Sequence, residues 1–155
     1  MTPVNPLQIL EWQEANFRAV NKFYKRQKHK GSASGDERVF IVLGDLPQAS
    51  TEAPIEQSIL AAVRLVPAEG YYWLRSLYVD KSLRGKRIGS QLLDYVNTHV
   101  HSTIHCFPYA HLEHFYTQSG YQFSDINDAP LPLKQLYERY NQKGDGVLFM
   151  SHHQE

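Results

Sequence analysis

The stretch that most constrains this chain is Leu77 to Leu93, LYVDKSLRGKRIGSQLL, where the hydrophobic period changes from that of a strand to that of a helix across a short basic loop. Upstream, Tyr71 to Val79 has the aromatic and β-branched content of a strand. Downstream, Ile88, Leu92, Leu93 and Val96 recur at helical spacing, so a helix begins within the glycine-containing loop and runs to about Thr98. A strand that feeds a loop and then a helix start presents unpaired backbone N–H groups and the positive end of a helix dipole, and glycine lets a ligand approach closely. Arg84, Lys86 and Arg87 add side-chain charge. Such a site suits a pyrophosphate, which makes a nucleotide-bearing cofactor the natural ligand. It is neither a Walker-type phosphate loop nor a GxGxxG fingerprint.

The remaining segments supply a sheet around this unit. Leu7 to Leu10 reads as a short strand, and Glu11 to about Lys28 as an amphipathic helix with Trp12, Phe17, Val20, Phe23 and Tyr24 on one face. Arg38 to Leu43 is a strand, Asp45 to Gln57 a long turn, and Ser58 to Val66 a strand joined to Tyr71–Val79 as an antiparallel hairpin through Pro67, Ala68, Glu69 and Gly70. Thr103 to Phe107, Tyr121 to Phe123 and Val147 to Ser151 are further strands, and Ala110 to Gln118 and about Leu133 to Gln142 are helices. Antiparallel strands first and a βαβαβ-like stretch later imply an α/β (α+β) architecture: a mixed, mostly antiparallel twisted sheet of about six to seven strands with helices on both faces. At 155 residues, 42% of them hydrophobic, residues 1–155 are expected to form a single domain. Sixteen Lys and Arg balance sixteen Asp and Glu, so no net field draws the molecule to nucleic acid or to a membrane. The lone Cys106 cannot form an internal disulfide, and no signal peptide or apolar span is recognisable, so a soluble cytoplasmic protein is expected.

Two motifs together resemble the GNAT N-acetyltransferase superfamily. Its coenzyme A motif, Gln/Arg-x-x-Gly-x-Gly/Ala after the fourth strand, is matched by Arg84, Gly85, Lys86, Arg87, Ile88 and Gly89, with Arg87 in place of the middle glycine. Its later helix motif FYxxxGF is matched by Phe115 to Tyr121, FYTQSGY, with Tyr for the last Phe. The resemblance covers roughly Val39 to Phe123. It implies a GNAT-type fold, acetyl-coenzyme A as cosubstrate, no metal, and direct attack by an amine on the thioester in a ternary complex. Carried over residue by residue, it implies that the backbone of Leu77, Tyr78 and Val79 holds the thioester and pantetheine. The loop from Arg84 to Ser90 (Arg84, Gly85, Lys86, Arg87, Ile88, Gly89, Ser90) holds the pyrophosphate, and Tyr116 protonates the leaving thiolate.

The family's strand-four glutamate base is absent, because Arg75 stands at its position. An alkylamine with a pKa of about 10.4 must still lose a proton, and His111, ahead of His105 and Glu113, is the candidate base. Arg75 also lies roughly opposite Arg64 if the hairpin closes as expected, and like charges across a strand pair need neutralising by a ligand anion or by a protein acid. Arg64 and Arg75 are therefore candidate acceptor-binding residues. The acceptor is expected to be a small-molecule amine or amino acid. The alternatives are a protein or peptide N-acetyltransferase and a non-catalytic acyl-coenzyme A sensor module. A nucleic-acid-binding domain is a weaker reading. Homodimerisation is left open. The basic run Lys22 to Lys30, KFYKRQKHK, is read as a solvated helix face, His99, His101, His105, His111 and His114 match no zinc spacing, and Cys106 is read as a wall residue beside the cofactor.

Overall fold

The unbroken apolar run Val39 to Val42 is explained by helices on both faces of the sheet. Val39 and Ile41 pack with Val20, Phe23 and Tyr24 of a helix on one side, whereas Phe40 and Val42 pack with Leu92, Leu93 and Val96 of a helix on the other. The computed structural model describes residues 7–45, 58–144 and 146–154. Among these, β1 (Gln8–Glu11), β2 (Arg38–Leu43), β3 (Ile59–Ala68), β4 (Tyr71–Val79), β5 (Thr103–Cys106), β6 (Gln122–Phe123) and β7 (Met150–His152) form one seven-stranded sheet in the order β1-β2-β3-β4-β5-β7-β6. Only the β4–β5 pair is parallel. The helices are α1 (Arg18–Arg26), α2 (Ile88–His99), α3 (Glu113–Gln118) and α4 (Leu131–Gln142). This is the mixed, mostly antiparallel architecture expected from the sequence. The later strands depart from a continuous βαβαβ unit, because β7 lies between β5 and β6. Residues 46–57, most of the expected long turn, lie outside the described residues.

The hairpin closes more tightly than the four-residue turn read from the sequence. Ala68 pairs with Tyr71, so only Glu69 and Gly70 turn the chain, and Gly70 takes a φ of +87°. The first helix is shorter than the periodicity suggests at both ends. It starts at Arg18, whose N–H is accepted by the Asn16 side chain at 3.1 Å. It ends in a Schellman arrangement: His29 N–H donates to Tyr24 O at 3.0 Å, Lys28 N–H donates to Lys25 O at 2.9 Å, and Lys28 has a φ of +61°. A lysine occupies the place where glycine would have signalled the stop.

The feature that shapes the molecule lies in β4. Ala62 pairs with Tyr78 and Arg64 with Arg75, so Ser76 and Leu77 together face Val63 alone, which is a β-bulge. Ser76 has a φ of +60°, a conformation unfavourable for a residue with a side chain. Three side chains hold it there. The buried Tyr24 hydroxyl donates to Ser76 O at 2.8 Å, Arg64 Nη1 donates to Ser76 Oγ at 3.0 Å, and His29 Nε2 lies 2.9 Å from the same oxygen. Beyond the bulge β4 has no β5 partner, since that pairing covers only Tyr71–Trp73 with Thr103–His105. Tyr24→Phe, which leaves the Ser76 carbonyl without its donor, is expected to lower unfolding stability by about 1–3 kcal/mol, measured by urea denaturation.

Candidate active site

Where β4 and β5 part, a cavity of about 820 Å³ opens between them, within the range of small-molecule and cofactor sites. One wall is β4 from Trp73 to Val79, and another is the loop and helix start from Leu83 to Ser90. Cys106 at the end of β5, Phe107 to Tyr109 after it, Phe115 and Tyr116 of α3, and Tyr140 of α4 complete it, with His29 at the α1 side. The site residues read from the sequence thus meet in one place: Leu77, Tyr78, Val79, Arg84, Gly85, Arg87, Ile88, Gly89, Ser90, Tyr116, His111 and Arg75 all line this cavity. Lys86 and Arg64 do not.

The loop is built to bring backbone towards a ligand. Asp80 accepts from Ser82 N at 3.0 Å and starts a single 3-10 turn, Lys81–Leu83, whose Leu83 is buried. Gly85 then takes a φ of +83°, and Arg87, in place of the expected glycine, takes a φ of +66° as it leads into α2. The N-cap side chain makes no capping bond to α2, and Ile88, Gly89 and Ser90 of its first turn line the cavity, so first-turn N–H groups are left for a ligand. Arg87 is exposed. A Cβ at Gly89 would stand 3.3 Å from Phe115 and from Val79, so this position keeps helix, strand and α3 in close contact. These residues fit a phosphate-bearing group: two left-handed positions, an uncapped helix start and three cationic side chains converge on one loop.

Tyr116 is nearly buried, and burial, followed by the Cys106 thiol, raises its hydroxyl well above the usual tyrosine range. It therefore holds its proton. Its ring is wedged edge-on against Phe115 and Tyr121, and its hydroxyl has no hydrogen-bond partner among the described residues. Cys106 also lines the cavity, but burial raises its thiol, so it is not a ready nucleophile. His111 is exposed at the rim, stacked on Tyr109. His105 turns away, 2.5 Å from Ser151 Oγ, and Glu113 is exposed at the start of α3; neither lines the cavity. Among the described residues, no three His, Cys, Asp or Glu side chains converge where they could share a metal ion.

Two arginines read as a pair behave differently. They do face each other across β3 and β4. Arg64 is buried and taken in bidentate fashion by Glu37, at 2.8 and 3.0 Å, so a protein acid neutralises it and its geometry is that of a positioning residue for the bulge. Arg75 remains at the cavity, its Cζ 4.3 Å from the centre of the Trp73 ring. The side chain that the sequence reading missed is His29. Burial, then Arg64 and then Arg75, lower its pKa below the usual 6.5, and its ring lies against Tyr78 at 4.4 Å. It was hidden in a basic run whose helix end carries no glycine.

The family model for the GNAT acetyltransferase domain matches residues 36–123, more than half of the chain. The chain belongs to the GNAT acetyltransferase family. It is accordingly an enzyme, an acyltransferase that uses an acyl-coenzyme A donor. Solved structures agree on the fold of this GNAT acetyltransferase. Over 97% of its length it matches all of a GNAT-family acetyltransferase from Staphylococcus aureus, with TM-score 0.59 and 14% identity. Over 94% it matches 96% of an aminoglycoside 6'-N-acetyltransferase complexed with coenzyme A, with TM-score 0.60 and 14% identity. Over 96% it matches N-acetylglutamate synthase from Neisseria gonorrhoeae complexed with coenzyme A and L-arginine, with TM-score 0.65 and 9% identity, but spans only 33% of that protein. A search of curated proteins finds no match. No helix among the described residues is long and apolar enough to cross a membrane.

The left-handed Arg87 makes a stability prediction. Arg87→Gly in this GNAT acetyltransferase removes the steric cost of that conformation, partly offset by the greater chain entropy of glycine. It is expected to raise unfolding stability by about 0.5–1 kcal/mol in urea titrations.

Proposed function

We propose that this protein, acting as a single domain over residues 1–155, transfers the acetyl group of acetyl-coenzyme A to the amine of a small molecule by direct attack within a ternary complex. The observation that carries the reading is the cavity itself, opened by the β4 bulge between an anion-suited helix start at one end and Tyr116, Arg75 and His29 further in. Leu77, Tyr78 and Val79 supply backbone groups freed from pairing with β5, which suit the pantetheine and thioester. Arg84, Gly85, Arg87, Ile88, Gly89 and Ser90 receive the pyrophosphate, with Lys86 adding charge outside the cavity wall. The acetyl carbonyl gains negative charge as the amine attacks, and the β4 N–H groups oppose that charge. When the carbon–sulfur bond breaks, the Tyr116 hydroxyl, which burial keeps protonated, donates a hydrogen bond to the departing thiolate, and the thiolate takes its proton from solvent as it leaves.

With Arg75 at the strand-four glutamate position, His29 is the base this reading assigns. Its ring lines the cavity, is braced by Ser76 and Tyr78, and stays neutral near pH 7. It can therefore accept the proton that the attacking amine gives up. His111, out at the rim, is the less suitable base. The alternatives divide on acceptor and turnover: acetylation of peptides alone would assign a protein acetyltransferase, and binding without turnover of any amine would assign a sensor module.

Isothermal titration with acetyl-coenzyme A tests the donor site without knowledge of the acceptor. Wild type is expected to bind, Arg84→Ala about tenfold more weakly, and Gly89→Trp not measurably. Failure of wild type to bind would sink the assignment. With an acceptor in hand, free-thiol release should show kcat for Tyr116→Phe about 10²-fold lower at unchanged acetyl-coenzyme A affinity. Because His29 acts neutral and its pKa is lowered, kcat/KM per free-base amine should hold as pH falls to 6.5 and decline only below it. His29→Gln should reduce kcat/KM by about 10²-fold and abolish that acid limb. An acid limb unchanged in the variant would assign the base elsewhere.

A further inference from the structure

We propose that the acceptor amine also carries a carboxylate, and that Arg75 holds it; this rests on the reading of the cavity as an acyl-transfer site. The argument starts from two like charges. Arg64 and Arg75 stand directly opposite each other on β3 and β4, an arrangement that destabilises a strand pair unless each charge is met by an opposite one. Arg64 is met. Glu37 grips it through two bonds of 2.8 and 3.0 Å, and its remaining nitrogen reaches Ser76 Oγ at 3.0 Å. Arg75 has no carboxylate partner among the described residues, yet it lines the cavity.

The Trp73 ring beneath Arg75 does not replace a counter-charge. With Cζ 4.3 Å from the ring centre, the guanidinium rests over the aromatic face, and none of its N–H donors has a hydrogen-bond partner among the described residues. Contact with the ring restricts the side chain, which leaves less freedom to lose when a planar carboxylate binds two of its donors.

The charge around this point selects the ligand further. None of the described residues lining the cavity is Asp or Glu. A polyamine or aminosugar acceptor would bring further positive charge to Arg75 and find no described carboxylate to receive it. The other cationic arginines of the wall, Arg84 and Arg87, belong to the loop before α2. On the acceptor side Glu37 has cancelled Arg64, and His29 is neutral, so a single positive charge is on offer. One charge matches a carboxylate. A phosphate dianion would leave a negative charge uncompensated in a half-enclosed chamber, which is costly. Trp73, Phe107 and Tyr140 form a continuous aromatic wall, with ring centres 6.3 and 5.9 Å apart in turn, against which the apolar part of an amino acid can lie.

The test is thiol release from acetyl-coenzyme A with L-amino acids and their carboxamides, compared at equal concentration of free-base amine, with spermidine and cadaverine as amines lacking a carboxylate. At least one amino acid should be used with a kcat/KM about 10- to 100-fold above that of its carboxamide. Arg75→Ala should bring the acid down to the level of its carboxamide, chiefly through KM, and Arg75→Lys should recover part of the difference. Acetyl-coenzyme A affinity of both variants, read by titration, should stay at the wild-type value. Equal use of acids and carboxamides, preference for the polyamines, turnover of no acid, or an Arg75→Ala that weakens both members of a pair alike would overturn the inference. Any of these with normal acetyl-coenzyme A binding removes the carboxylate subsite alone, whereas a wild type that does not bind acetyl-coenzyme A removes the acyl-transfer reading and the subsite together.

Discussion

The left-handed turn of Ser76 inside β4 is the constraint on which the site depends. A regular β4 would continue pairing with β5 past Trp73 and seal the sheet. The extra residue twists the strand away from β5, and the gap becomes the cavity. A serine does not adopt this conformation for its own sake, since it costs about 1–2 kcal/mol without the help of glycine. It persists because Tyr24, Arg64 and His29 reach Ser76 from α1, β3 and the segment after α1. The strain is thus held by contacts from two parts of the chain, the C-terminal end of α1 with the residues just after it and the neighbouring strand β3.

The same contacts settle the electrostatics. Arg64 can be buried only because Glu37 is bonded to it on two sides. That pairing braces the bulge and also neutralises one of the two facing arginines, leaving Arg75 at the cavity without a carboxylate partner among the described residues. His29, pressed between Tyr24, Tyr78 and Ser76 and close to both arginines, is kept neutral by burial and by their charge. Packing, charge and proton position on the acceptor side follow from one cluster.

The donor side uses strain in the same way. Arg87 occupies a left-handed position where the family motif has glycine, and it does so directly before an uncapped helix. The conformation brings the uncapped first turn of α2 to the cavity wall, and arginine adds a charge that glycine could not. A residue chosen for chain stability alone would be glycine; arginine there is consistent with stability given up at a binding loop.

Much of this was written in local sequence. The switch from strand to helical period after Val79, the glycines and basic residues of the loop and FYTQSGY pointed to segments that meet at the cavity, because these signals depend on periodicity and backbone chemistry within a few residues. The hairpin and the facing of Arg64 with Arg75 were legible for the same reason. What the sequence could not show depends on separation along the chain. Glu37 is 27 residues from Arg64, and Tyr24 is 52 from Ser76, so neither partnership leaves a periodic trace. The end of α1 was misjudged because Lys28 takes the left-handed position that glycine normally marks, and with it His29 was lost in a basic run. The sequence by itself determined the elements, the family and the backbone chemistry of the glycine-containing basic loop. Only the tertiary structure decided which arginine is neutralised, which histidine enters the cavity and where β4 leaves its neighbour, because those outcomes are set by contacts between segments that local propensity does not encode.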